Sequence, residues 1–293
     1  MKDLILFGDC RKTISTITEP VKMCVTSPPY YGLRDYGGEE NQIGMEESPE
    51  KYVDQLVEVF RNVREVLTDD GTLWLNIGDS YYNYRSDGNY PKQTVSKTRQ
   101  DLPTKTPVRG NKLEGYKSKD LIGIPWLLAF ALRKDGWYLR QDIIWNKPNP
   151  MPESVKDRCT KSHEYIFLLS KSKNYYYDNE AIKEPTKESE TGSYSGVAKG
   201  NTTKNKRSVW TVNKKPYKGA HFATFPSELI EPCIKAGSQK GDIILDPFIG
   251  SGTTAMVAKS LGRHYIGCEL HESYNDLIQN RVSQYTINLE DFV

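Results

Sequence analysis

The segment from Asp242 to Thr254 constrains the fold of this chain more than any other part of its sequence. It reads Asp-Ile-Ile-Leu-Asp-Pro-Phe-Ile-Gly-Ser-Gly-Thr-Thr: an apolar strand that ends in an acidic residue and turns through two glycines into a helix. Such a turn lets the backbone approach a ligand closely at a strand–helix crossover. It has neither the Gly-Lys-Ser/Thr ending of a phosphate loop nor the third glycine of a dinucleotide fingerprint. The segment therefore predicts a nucleotide-binding α/β sheet of another kind.

Two acidic residues at predicted strand ends indicate the class of ligand. Asp246 would repel a pyrophosphate but accept hydrogen bonds from a cationic aminoacyl group. Glu269 ends the next strand, where a carboxylate commonly binds the ribose hydroxyls of an adenosine. Together they favour an adenosine ligand without phosphates, and S-adenosylmethionine is the obvious candidate. A solvent-facing glutamate is an equally good interpretation of Glu269 taken alone.

Alternating strand and helix patterns predict one doubly wound, mostly parallel sheet. The seven predicted strands cover residues 4–7, 23–26, 72–77, 138–145, 165–169, 242–245 and 264–268. The predicted helices cover residues 51–67, 121–133, 226–235, 252–261 and 272–284.

Two basic segments lie outside this alternation. The formal net charge of the chain is +2, yet residues 85–119 and 181–218 each carry +6, which leaves −10 elsewhere. Both segments are rich in Ser, Thr, Asn, Gly and Lys, and they read as loop insertions. They indicate a polyanionic partner, although lysine-rich solvated loops fit equally well. We divide the chain into 1–180 (with the insertion 85–119), a target-recognition insertion 181–218, and 219–293, the cofactor-binding part of the same domain.

The cysteines and the apolar content exclude several classes of protein. The five cysteines are scattered and have no Cys-x-x-Cys spacing, so we expect no disulfide framework, no metal site and a reducing, cytoplasmic setting. No apolar run approaches the roughly 18 residues of a membrane span, so no membrane partner is expected.

A second motif, Thr26-Ser27-Pro28-Pro29-Tyr30, follows the second predicted strand. Two prolines hold a rigid, extended exit from the sheet. The exit offers a hydroxyl at Ser27, a carbonyl at Pro28 and an aromatic face at Tyr30, which suit the amino group and the plane of a flipped base. A stiffened turn with a packed tyrosine is the alternative for this motif alone.

The two motifs together resemble those of amino-directed DNA methyltransferases of the β group, in which the catalytic motif precedes the cofactor loop. The resemblance covers nearly the whole chain except the basic insertions. It implies a Rossmann-like methyltransferase fold that is circularly permuted, with S-adenosyl-L-methionine as cofactor and double-stranded DNA as partner. It also implies a prokaryotic or phage origin and association with the nucleoid. A homodimer and a cognate restriction endonuclease stay open as further partners.

The resemblance assigns roles residue by residue. The catalytic motif comprises Ser27, Pro28, Pro29 and Tyr30. The cofactor-binding set comprises Asp9, Thr26, His221, Phe225, Pro226, Asp246, Pro247, Phe248, Gly250, Ser251, Gly252, Thr253, Thr254 and Glu269. Within it, the segment from His221 to Pro226 lines the methionine end, and Asp9 lies near the adenine.

Serine before Pro-Pro is associated mainly with N4-cytosine enzymes, so we prefer N4 of cytosine, with N6 of adenine as the alternative. Glutamine-directed protein methyltransferases usually have Asn-Pro-Pro-Tyr after the cofactor loop. Both the serine and the order of the motifs in this chain therefore disfavour that class. Carbon-5 methylation needs a cysteine nucleophile, and Cys233 lies on the apolar face of a predicted helix, where it packs in the core. A DNA-binding module without catalysis is the more distant alternative, and methyl transfer to DNA distinguishes it.

Target recognition is assigned to the second basic segment. Lys204, Lys206 and Arg207 would neutralise phosphates, and Trp210 would pack against sugar or base. His163 and His264 are interpreted as having structural or edge roles, and Asp79 either lines the base pocket or caps the following loop.

Overall fold

The computed structural model describes residues 2–32, 42–82, 112–186, 202–213 and 225–290. In chain order its strands and helices are β1 (Leu4–Phe7), α1 (Cys10–Thr13), β2 (Val21–Thr26), α2 (Pro49–Val66), β3 (Leu67–Ile77), α3 (Ile124–Lys134), β4 (Tyr138–Asn146), β5 (His163–Ser170), β6 (Glu184–Pro185), β7 (Thr203–Lys204), β8 (Val209–Thr211), α4 (Ser227–Gly237), β9 (Ile243–Asp246), α5 (Thr253–Ser260), β10 (His264–Glu269) and α6 (Asn275–Glu290). Within these ranges no helix is long and apolar enough to cross a membrane.

Among the described residues, eight strands form one sheet in the order β1-β10-β9-β2-β3-β5-β4-β8. All neighbours from β1 to β3 are parallel. β5 runs antiparallel to both β3 and β4, and β8 is parallel to β4. The predicted α/β class with a mostly parallel sheet is confirmed, and all seven predicted strands are present.

The chain order of the strands confirms the predicted circular permutation. β9 and β10 come last in the sequence, yet they lie between β1 and β2 in the sheet. The glycine turn that follows β9 (Asp246–Thr254) is therefore brought beside the proline exit that follows β2 (Ser27–Tyr30). Parallel neighbours end at the same sheet edge, and ligands of open α/β sheets bind at that edge.

Two hydrophobic clusters cover the two faces of the sheet. Helices α2 and α3 pack on one face through buried side chains such as Tyr52, Phe60 and Leu128. Helix α4 and helix α5 pack on the other, where Cys233 is fully buried and its thiol faces the carbonyl of Leu229 at 3.6 Å. The interpretation of Cys233 as core packing is confirmed.

Helix ends explain two polar side chains near the sheet edge. Ser48 accepts a hydrogen bond from the N–H of Lys51 and caps α2. Asp79 accepts from the N–H groups of Gly123 and Ile124 at 3.0 and 3.1 Å and so caps α3. The predicted cap of the following loop is also present, because the N–H of Ser80 donates to Asp79 at 2.9 Å, whereas the contact with α3 was not predicted.

The segment 181–218 is not wholly a loop outside the sheet. Residues 187–201 and 214–218 lie outside the described residues. In the described part, β6 and β7 form a small antiparallel pair, and β8 joins the main sheet as its edge strand. The sequence does not predict β8, because three residues are too few to show a strand period.

Candidate active site

The glycine turn and the proline exit are joined by a direct hydrogen bond. Thr26 ends β2 and Asp246 ends β9, and the two strands are parallel neighbours. The hydroxyl of Thr26 donates to the Asp246 carboxylate at 2.5 Å. The sequence motifs around Ser27 and Gly250 therefore form one site at one edge of the sheet.

Asp246 also organises the glycine turn itself. It accepts hydrogen bonds from the Thr254 hydroxyl at 2.6 Å and from the N–H of Phe248 at 3.0 Å. Gly250 and Gly252 have φ of +51° and +81°, a region that side chains with a Cβ rarely adopt. These contacts fix the backbone path that the sequence predicted from its two glycines.

Glu269 ends β10 and completes the acidic side of the site. Its carboxylate accepts from the N–H of Gly250 and from the N–H of His271, each at 3.1 Å. Earlier in the same strand, a Cβ on Gly267 would lie 2.8 Å from Ile249 in the turn. The glycine turn therefore packs directly against β10, and Glu269 at the end of that strand hydrogen-bonds to its backbone.

Both carboxyl groups are harder to ionise than in water. Burial raises the pKa of Asp246 to about 6, against the lowering effect of its three hydrogen-bond donors. Burial likewise raises the pKa of Glu269 to about 7. A cation that binds between the two groups would favour their ionised forms.

The other residues of the turn pack around this pair of acids. Ser251 is buried and accepts a 2.5 Å hydrogen bond from Arg281 on α6. Pro247 is buried, and Phe248 packs against the core on the side of α2. The Thr253 hydroxyl is buried and has no hydrogen-bond partner among the described residues, so it is available to a ligand.

Asp9 lies beside the same strand end. The N–H of the preceding Gly8 donates to the carbonyl of Glu269 at 2.8 Å. The Asp9 carboxylate caps α1 and pairs with Arg11 at 2.7 Å. Burial opposes its ionisation, but the hydrogen bonds and charge of Arg11 outweigh burial and lower the pKa of Asp9. Asp9 is thus placed next to Glu269 as an ion-paired carboxylate.

The proline exit is held from behind by helix α2. Pro28 is buried, and the carbonyl of Pro29 accepts a 2.7 Å hydrogen bond from the hydroxyl of Tyr52. The ring of Tyr30 lies on the backbone of Gly78, where an added Cβ would come within 2.6 Å of the ring. The backbone after β3 therefore forms the floor under Tyr30.

The hydroxyl of Tyr30 is fixed by an acid on β5. It donates to Glu164 at 2.7 Å, and Glu164 also pairs with Lys147, which follows β4. Burial and then the Glu164 charge raise the pKa of Tyr30 well above its usual value. The phenol is consequently a hydrogen-bond donor at neutral pH.

Four residues of this site are absent from the sequence prediction: Tyr52, Gly78, Lys147 and Glu164. Gly78 carried the clearest signal, because a Gly-Asp pair directly follows a predicted strand. The other three are recognised only when α2, β4 and β5 are placed around Tyr30.

The DNA methylase family model matches residues 21–280, which include both motifs and every strand from β2 to β10. The chain belongs to this DNA methylase family. Two type II methyltransferases are similar over most of their length. M.Cfr9I of Citrobacter freundii is 51% identical over 92% of this chain and 83% of its own length. M.SmaI of Serratia marcescens is 50% identical over 95% of this chain and 90% of its own length.

Solved structures agree with the fold of this methylase. The cytosine-N4-specific PvuII DNA methyltransferase has a TM-score of 0.65 at 18% identity and covers 94% of this chain and 85% of its own. A putative DNA modification methylase of Thermus thermophilus, TTHA0409, solved with S-adenosyl-L-methionine, has a TM-score of 0.63 at 24% identity and covers 96% and 93%.

The predicted methionine-end segment is only partly described in this methylase. His221 lies outside the described residues. Phe225 is buried against the cluster under α4, and Pro226 is the N-cap of α4. These two positions fix where α4 begins.

The predicted DNA-contacting residues divide into two groups. Lys204 and Lys206 face Glu184 at 3.6 and 4.0 Å, and Arg207 is exposed. Trp210 is 5% exposed, lies on β8, and packs against Trp74 with 6.5 Å between ring centroids. The interpretation of Trp210 as a ring for sugar or base is wrong, because its side chain belongs to the core.

Proposed function

We propose that this DNA methylase transfers the methyl group of S-adenosylmethionine to the exocyclic N4 of a cytosine extruded from duplex DNA. The hydrogen bond from Thr26 to Asp246 carries the proposal. It places Ser27, the next residue, beside the glycine turn, so that a base and a cofactor held by these two motifs would be neighbours.

The residues around the turn fit the cofactor. Glu269 stands where a carboxylate accepts from ribose hydroxyls, and Asp246 supplies negative charge for a cationic ligand. The buried Thr253 hydroxyl offers a further polar partner. S-adenosylmethionine supplies a methyl group on a positively charged sulfur, and the chain offers acids rather than a phosphate cradle.

The proline exit would hold the base. Ser27 and the Pro28 carbonyl accept from the exocyclic amino group, and Tyr30 presents its ring to the base plane. An aryl amine is a poor nucleophile because its lone pair is delocalised into the ring. Acceptors that grip its hydrogens favour a pyramidal nitrogen with a lone pair directed at the methyl group.

The preference for cytosine comes from Ser27. It occupies the position where the resemblance associates serine with N4-cytosine enzymes and an acidic or amide residue with N6-adenine enzymes. The alternative, N6 of adenine, uses the same acceptors on the same type of amino group.

Lys206 and Arg207 are proposed to grip the DNA backbone together with Lys204. They precede β8, which pairs with the end of β4, and the chain leaves β4 at Lys147, the partner of Glu164. Cations at this edge would meet phosphates near an extruded base.

Nucleoside mass spectrometry tests the function. Duplex DNA is incubated with the protein and S-adenosylmethionine, digested and analysed, with Tyr30→Ala as the control for contaminating activity. N4-methylcytosine is expected. N6-methyladenine would move the proposal to the alternative base, and the absence of both would contradict methyl transfer to DNA.

A further inference from the structure

At the hydroxyl of Tyr30 lies a buried ion pair, Lys147 with Glu164, to which the proposed mechanism assigns no role in binding the cofactor or the base. The Lys147 side chain is 5% exposed and that of Glu164 16%. The Lys147 ammonium also lies 4.1 Å from the ring centroid of Trp145. Asn76 adds contacts to the carbonyl of Tyr165 at 3.0 Å and to Glu164 at 3.5 Å.

Stability alone does not account for this pair. Removing two charges from water costs about as much free energy as their attraction returns, so a buried ion pair adds little net stability. The pair instead gives the Tyr30 hydroxyl one defined partner, at 2.7 Å.

We propose that Glu164, held in place by Lys147, is a positioning residue that orients the Tyr30 hydroxyl and ring for methyl transfer. The inference rests on the proposed function, since it concerns how the same base site is arranged.

The contact between Glu164 and the Tyr30 hydroxyl fixes which group donates and which accepts in the hydrogen bonds around Tyr30. A carboxylate only accepts and an ammonium only donates, so the phenol proton must point at Glu164. The Ser27 side chain is near enough to lower the pKa of Tyr30. Because the phenol proton is committed to Glu164, the Ser27 hydroxyl can only donate to the phenol oxygen. The serine oxygen keeps its lone pairs for the amino group of the base. Glu164 thereby makes an uncharged serine act as an acceptor.

The substitution Glu164→Gln reverses the direction of the hydrogen bond between residue 164 and the Tyr30 hydroxyl, with almost no change in side-chain volume. Lys147 attracts the amide oxygen of the new side chain, so the amide NH2 faces Tyr30 and donates to it. Single-turnover methyl transfer is expected to fall about 10- to 100-fold, the size of effect that small misplacements of reacting groups produce. Cofactor affinity is expected to stay unchanged, because Glu269 and Asp246 are untouched.

A double-mutant cycle with Tyr30→Phe separates positioning from a general structural role. If Glu164 acts through the Tyr30 hydroxyl, Glu164→Gln should cost less than about twofold further in the Tyr30→Phe background. Equal losses in both backgrounds would overturn the inference. Glu231→Gln is the matched control, because it neutralises an exposed ion pair with Lys235 on α4 and should leave transfer unchanged.

Lys147→Met provides a second arm. Alone it leaves Glu164 buried without its cation, which should lower activity and melting temperature. Adding Glu164→Gln should restore the melting temperature and much of the rate, because without Lys147 the amide oxygen is free to turn toward Tyr30 and accept from its hydroxyl. A double variant with a restored melting temperature that transfers as slowly as Glu164→Gln alone would contradict positioning. A wild-type enzyme that methylates adenine would contradict only the proposed base. The double-mutant cycle could then be measured by methyl transfer to adenine, so the inference about Glu164 would still be tested.

Discussion

The Thr26 hydroxyl lies 2.5 Å from the Asp246 carboxylate, although 220 residues separate the two in the chain. Both side chains are buried, and Asp246 has two further donors, in Thr254 and Phe248. One short contact therefore couples the proline exit after Thr26 to the glycine turn after Asp246.

The first prediction tests this coupling. Thr26→Val keeps the shape but removes a donor to a buried carboxylate, which should lower the free energy of unfolding by about 1–3 kcal/mol. It should also weaken cofactor binding. Urea unfolding and titration calorimetry measure both. Thr16→Val, at an exposed threonine that donates to the carbonyl of Thr13, is the control and should change little.

Glu269 predicts how the stability of the cofactor-free protein depends on pH. Its pKa is raised to about 7, so between its unfolded value near 4.5 and about 7 the folded state holds a proton that the unfolded state has released. Stability should fall as pH rises through this window. Relative to Glu269→Gln, the wild type should lose on the order of 2 kcal/mol between pH 5 and pH 8. A constant difference would contradict the buried, protonated carboxyl.

Cofactor binding should show the opposite pH trend. In its proposed role the ionised form of Glu269 would accept from the ribose hydroxyls. Affinity should therefore rise between pH 6 and pH 8, and binding near pH 6.5 should release protons. Calorimetry in two buffers of different ionisation enthalpy measures the protons released. Affinity of Glu269→Gln should be weak and nearly independent of pH, whereas a rise as steep as in the wild type would assign the titration elsewhere.

Gly78 is predicted to be essential to the floor of the base site. An alanine Cβ would lie 2.6 Å from the ring of Tyr30, so Gly78→Ala must displace that ring. Methyl transfer should fall at least tenfold with cofactor affinity retained. Gly115→Ala is the comparison: its φ of +81° makes alanine strained, but the Cβ meets no atom within 4 Å, so it should cost stability without changing transfer. Full activity of Gly78→Ala would show that the ring position is not critical.

The cations before β8 give a prediction for DNA binding. The double change Lys206→Ala and Arg207→Ala should raise the dissociation constant and reduce the slope of log K against log salt by about one to two. Fluorescence anisotropy at several salt concentrations measures the slope. Lys235→Ala, on α4, is the control; an unchanged slope in the double variant would remove these residues from the interface.

The sequence alone determined the parts of this protein that depend on neighbours in the chain. Strand and helix periods placed all seven predicted strands, and the Asp246-to-Thr254 turn and the Ser27-to-Tyr30 exit carry their own backbone requirements in glycine and proline. The order of the two motifs, through the resemblance to the β group of DNA methyltransferases, was enough to predict the permuted sheet.

Tertiary structure decided what depends on residues far apart in the chain. Trp210 is a residue type that often contacts nucleic acids and lies in a basic segment, yet its place on β8 directs its side chain into the core beside Trp74. Tyr30 finds Glu164 across 134 positions, and Glu164 finds Lys147 across a loop. Burial and long-range pairing arise only when the sheet is assembled, and no local pattern of residue types records which charge will face which hydroxyl.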